Sequence, residues 1–77
     1  MEGTVTVGSW VEIRDGQLQE HWRIVPAHEA DALRGLLSEA CPLARALLGH
    51  GPGDVVQVQG PEGRRRVTVL AVSGRGE

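Results

Sequence analysis

The sequence predicts an α+β fold, a small sheet wrapped over one short helix. Two observations carry this expectation. One is a single compact helical stretch, Cys41-Pro42-Leu43-Ala44-Arg45-Ala46-Leu47-Leu48-Gly49. The other is strand-like sequence on both sides of it, in segments that alternate apolar and polar residues with period two.

The helix is justified first. Pro42 suits the first helical position, where a missing N–H costs nothing and a fixed φ fits the turn. Leu43, Ala44, Ala46, Leu47 and Leu48 are inexpensive in a helix. Gly49 can adopt the left-handed conformation that ends one. About two turns of helix are not stable alone in water, so packing must hold them. Leu43, Leu47 and Ala46 are the expected inward residues. Ser38 or Cys41 is the expected cap, and Ser is the better residue for it.

The strands follow in order. Residues 4–13 read as the first, with Val5, Val7, Val11 and Ile13 on one face and Thr4, Thr6, Trp10 and Glu12 on the other. Gly8-Ser9 interrupts the run and marks a bulge or bend. Asp15-Gly16 signals a turn, so residues 15–19 form a hairpin loop leading to a second strand over 20–25. Pro26 ends that strand. Residues 27–37 are ambiguous: 28–34 have helical propensity that Gly35 could stop, and the alternative is an irregular loop carrying a binding surface. Leu36 and Leu37 tuck into the core edge. Residues 50–54 are dense in turn formers. Residues 55–59 form a third strand with Val56 and Val58 on one face. Pro61-Glu62-Gly63 turns the chain into a fourth, over 64–72, with Val67, Val69 and Ala71 on one side. Residues 73–77 have no reason to be ordered.

Composition bounds the function. The 77 residues make one small domain with a core of modest size. There is no Tyr or Phe and there are only two Trp, so aliphatic side chains fill the core. Eight basic residues against ten acidic ones give a net charge of -2. That balance argues against a dedicated, sequence-specific nucleic-acid binder. A single Cys cannot form an internal disulfide, which makes a reducing, cytoplasmic setting the default. No apolar run is long enough for a membrane span or a signal peptide.

Several residues invite chemical readings. Cys41 precedes a helix N-terminus, a position that favours thiolate chemistry; the simpler reading is a half-buried stand-in for Ser. His28, Glu29, Asp31 and His50 could converge on the loop face, but no metal-ligand spacing is present. Glu29 and Asp31 are expected to fix their loop through backbone N–H groups or by pairing with Arg45. In the run Arg64-Arg65-Arg66, the outer two share one strand face and Arg65 takes the other. It reads as a solvated edge that discourages strand pairing, the alternative being a contact for phosphate or an acidic partner. Trp10 is either an exposed interface anchor or turned inward by the Gly8-Ser9 irregularity. Trp22 is core.

Six blocks occur in the order of a known family: Val7-Gly8-Ser9-x-Val11; Trp22-x-Ile24-Val25; Glu29-Ala30-Asp31; the run Pro42-Leu43-Ala44-Arg45-Ala46-Leu47-Leu48-Gly49; Gly53-Asp54-x-Val56-x-Val58; and Pro61-x-Gly63. Over residues 5–72 the chain closely resembles the C-terminal domain of the bacterial Gre transcript-cleavage factors. The resemblance implies an FKBP-like fold, a curved antiparallel sheet of four to five strands around a short helix. It also implies a partner, RNA polymerase, gripped at a coiled coil of its largest subunit on the rim of the secondary channel. Carried over residue by residue, the contact positions are Ala40, Cys41 and Pro42; Arg45, Glu29 and Asp31 complete the expected partner-binding set. No cofactor or metal is implied. Four positions depart from the family pattern: Cys41 for Ser, Ala40 for an Asp, Trp22 for Tyr and Pro26 for Gly. The family's N-terminal coiled coil, whose acidic tip helps hold a catalytic magnesium in the polymerase, has no counterpart in these residues. The expectation is therefore a non-enzymatic docking domain that modulates transcription without stimulating cleavage. The alternative is a repurposed fold that binds or transforms a small molecule, with Cys41, His50, Glu29 and Asp31 as its acid–base or nucleophilic groups. An exposed edge strand and Trp10 also allow a homodimer. Prolyl isomerase activity would follow from the fold name alone, and the aromatic lining it needs is missing.

Overall fold

The computed structural model describes residues 3–74. Five strands, β1 (Trp10–Asp15), β2 (Leu18–Val25), β3 (Leu36–Ser38), β4 (Val55–Gly60) and β5 (Gly63–Ser73), surround one helix, α1 (Pro42–Leu47). The sheet order is β3-β2-β1-β5-β4. All neighbours are antiparallel except β2 and β3.

The first strand is shorter than alternation suggests. Gly8 takes φ +100°, and the amide of Ser9 bonds back to the Thr6 carbonyl at 3.0 Å. That tight turn breaks the extended run, so only Trp10 onward joins the sheet. Val5 instead bonds to the end of the helix: its amide donates to the His50 carbonyl and its carbonyl accepts from Gly49, both at 2.8 Å. The β1–β2 hairpin closes over two residues, Gly16 and Gln17, rather than the longer loop expected. Gly16 supplies the positive φ that such a turn requires.

Residues 27–37 resolve into two short 3-10 turns, Ala27–Glu29 and Ala32–Arg34, followed by β3. Leu36 and Leu37 lie in this fifth strand, parallel to β2. A three-residue strand flanked by turns carries too little periodicity to be read from sequence.

The helix ends at Leu47 with Leu48 as its C-cap, and Gly49, at φ +87°, takes the expected left-handed conformation just beyond. Ala44 and Leu47 are its fully buried residues; Leu43, Ala46 and Leu48 are partly buried against the same core. Val5, Val11, Ile13, Ile24, Val56, Val58, Val67 and Val69 complete that core. Ala71 is exposed, contrary to simple alternation along residues 64–72. The cause is a bulge: Glu12 pairs with Ala71 and Ile13 with Val69, so Leu70 has no partner on β1. One extra residue reverses the faces, and Val72 takes the inward place. Ser73, expected to be disordered, ends β5 opposite Trp10; residues 75–77 of that expectation lie outside the described residues. No helix among the described residues is long and apolar enough to cross a membrane.

Candidate functional site

The turn between β3 and α1 carries two of the expected contact residues, Ala40 and Cys41, on a heavily bonded backbone and leads into a third, Pro42. The amide of Glu39 donates to the Val25 carbonyl at 2.8 Å, tying the turn to the end of β2. Ser38 Oγ accepts from the Ala40 amide at 3.0 Å, and the Ser38 carbonyl accepts from Cys41 at 3.1 Å. Cys41 is the N-cap of α1: its Sγ accepts from the Ala44 amide at 3.5 Å, and its carbonyl accepts from Arg45 at 3.0 Å. The thiol thus takes over a hydroxyl's capping role while its side chain packs against the core. Both cap candidates are used, Cys41 on the helix and Ser38 on the turn before it.

Ala40 before the helix, Pro42 at its first position and Arg45 in its last turn are each exposed. Arg45 forms no ion pair among the described residues. The result is a small-featured knob pinned by its own backbone bonds.

The other expected residues lie elsewhere. Asp31 caps the second 3-10 turn, its Oδ1 accepting from the Leu33 amide at 3.2 Å and its Oδ2 facing Arg34 Nε at 3.6 Å. Its backbone exchanges two hydrogen bonds with Leu36, and Gly35, at φ +76°, closes the loop. Asp31 therefore fixes its loop as expected, through a backbone N–H, but its ion pair is with Arg34 and not with Arg45. Glu29 is exposed and faces His28 at 3.5 Å. His50 lies past the far end of α1, where its Nδ1 meets Asp54 Oδ2 at 3.1 Å. The Gly51 amide, also on Oδ2 at 3.0 Å, and then His50 hold the Asp54 carboxyl below the usual carboxylate range.

The proposed acid–base group is accordingly dispersed. Cys41 and His50 flank opposite ends of the helix, and among the described residues no three His, Cys, Asp or Glu side chains gather to hold a metal. An open cleft of about 340 Å³ does exist, lined by residues including Val7, Arg23, Pro26, Glu29 and Leu36. Of the suggested chemical residues only Glu29 borders it. Arg23 Nε donates to the Gly8 carbonyl at 3.2 Å within it.

Trp10 keeps the face opposite Val11 and Ile13 but is only half exposed. Its ring lies 4.9 Å from that of His21, tilted by 39°, and the backbone approaches it at Gly35 and Gly74. Trp22 packs on the core while its Nε1 donates to Glu20 at 2.9 Å. Sequence reasoning missed Leu33, which is 99% exposed on the second 3-10 turn.

Comparison with known proteins adds a family to this geometry. Residues 1–74 match the family described as transcription elongation factor, GreA/GreB, C-term. The transcription elongation factor GreA of Verminephrobacter eiseniae is 41% identical over 75 residues, which cover 95% of this chain and 48% of that protein. GreA of a Thermotoga strain is 44% identical over 73 residues, 92% of this chain and 47% of its own length. Among solved structures, Gfh1 of Thermus aquaticus superposes with a TM-score of 0.83 at 33% identity, covering 95% of this chain and 50% of that one. A GreA/GreB factor from Nitrosomonas europaea superposes at 0.76 with 26% identity, covering 95% and 62%. The chain thus spans about half the length of the GreA proteins it matches.

Proposed function

We propose, from the premise that this chain belongs to the GreA/GreB transcription elongation factor C-terminal family, that it docks on RNA polymerase through residues 39–45. The docking site on the polymerase is the coiled coil of the largest subunit at the rim of the secondary channel. The domain modulates transcription there without itself stimulating transcript cleavage, and it works in the bacterial cytoplasm. The observation that carries the reading is the turn itself. Ala40, Pro42 and Arg45 are exposed, while the backbone leading into the helix is tied down by the bonds from Glu39 to Val25, Cys41 to Ser38 and Arg45 to Cys41. A preorganised knob loses little conformational freedom on binding. The departures at positions 40 and 41 leave this backbone frame intact, because Cys41 still caps the helix.

The chemical alternative has no comparable support, since Cys41, His50 and Asp31 stand apart. The test is retention of the chain by immobilised, purified RNA polymerase. Wild type is expected to bind at micromolar concentration. Pro42→Ala should weaken it several-fold, and Arg45→Glu should weaken it by tenfold or more. No retention at that concentration removes the proposal.

A further inference from the structure

The two edges of the sheet differ in how they are guarded. β3 is three residues long, and the 3-10 turns lie against it. β4, at the other edge, is six residues long with the sequence Val-Val-Gln-Val-Gln-Gly. Natural edges are blunted by charge, proline, bulges or brevity. β4 has no charged residue and no proline within it, and its register with β5 runs unbroken from Val55 to Gly60. Helix α1 packs against β4 from the core side, where Val56 and Val58 are buried, while Val55, Gln57 and Gln59 are exposed. Val55 is 56% exposed.

We propose that the β4 edge is an association surface and that its partner is a second copy of this chain. The two β4 strands pair antiparallel about a two-fold axis perpendicular to the sheet. Side chains directly opposite in such a pair share a face, so only registers with an even residue sum keep the cores on one side. The axis through Gln57 sets Gln57 against Gln57, Val56 against Val58 and Val55 against Gln59 of the second copy. Both inward rows are then valine on valine. An axis one pair further on, through Val58, would set Gly60 against Val56 and lose a side-chain contact.

Charge does not oppose this register. Arg66, the β5 partner of Gln57, is the nearest basic residue in the central row. Its copy lies three strand spacings away, about 14 Å, beyond the screening length of about 8 Å at physiological ionic strength. The inward-facing Arg65 is neutralised by Asp15 of its own chain. An uncharged edge therefore meets an identical uncharged edge, with hydrogen-bonding amides at its centre.

The register makes a specific test possible, because residue 57 faces itself. Sedimentation equilibrium of the chain should show a mass approaching twice that of the monomer as concentration rises into the hundreds of micromolar. Gln57→Lys and Gln57→Glu should each sediment as monomers, since like charges directly opposite destabilise a strand pair. An equimolar mixture of the two should recover the dimer. Circular dichroism of each variant establishes that it is folded, and Gln57 is an exposed side chain outside the polymerase-facing turn. A wild-type chain that stays monomeric over this range overturns the proposal. So does a dimer indifferent to charge at position 57, or a mixture that fails to recover association. None of these outcomes bears on polymerase retention, so the two proposals stand or fall separately.

Discussion

Cys41 does with sulfur what a serine N-cap does with a hydroxyl. It accepts one helix amide at 3.5 Å, longer than an oxygen acceptor would allow. Two substitutions separate the capping role from any thiol chemistry. Cys41→Ser should preserve or raise stability, since serine is a strong cap, whereas Cys41→Ala should cost about 1 kcal/mol; urea unfolding measures both. If polymerase docking is the function, Cys41→Ser should bind as well as wild type. Asp54 offers a second residue-scale prediction. The Gly51 amide and His50 favour its charged form, so its folded pKa lies below its unfolded one. Its contribution is therefore complete above the unfolded value and disappears as pH falls through the lower folded value. Asp54→Asn should reduce stability at pH 7, and the difference from wild type should vanish under strongly acidic conditions. A pH series of unfolding midpoints reads this directly.

At the level of elements, the helix is held at both ends by chain that sequence pattern alone does not place. Glu39 anchors the entry to β2, and Val5 bonds to the exit through Gly49 and His50. Gly51 lies in that exit, where an added Cβ would come within 2.5 Å of the Gly3 carbonyl oxygen. Gly51→Ala must push these two backbones apart. It should lower stability by about 1–3 kcal/mol, the usual cost of overpacking, measured by thermal or urea denaturation. The helix, the two hairpins and the valine-rich strands were legible because their periodicity and turn residues are local signals. The bulge at Leu70 was not, since it follows from the pairing of two strands far apart in sequence. Nor was β3, whose three residues gain meaning only beside β2. Of the candidate site, the proline-led start of the helix and its cap at Cys41 were legible from local sequence. The dispersal of Cys41, His50 and Asp31 was not, because only the tertiary path sets His50 beyond the far end of the helix.

For the molecule as a whole, the architecture assigns separate tasks to separate regions. The aliphatic core fixes the helix on the sheet, and the residues leading into that helix form the proposed docking surface. The central claim is that residues 39–45 form the polymerase-facing surface. Replacing Ala40 with a photo-reactive amino acid and irradiating the chain with purified RNA polymerase tests it most directly. The account predicts a covalent adduct with the largest subunit, and none from the same residue placed at Gln57. Labelling that is absent at position 40, or that appears only at position 57, would contradict it.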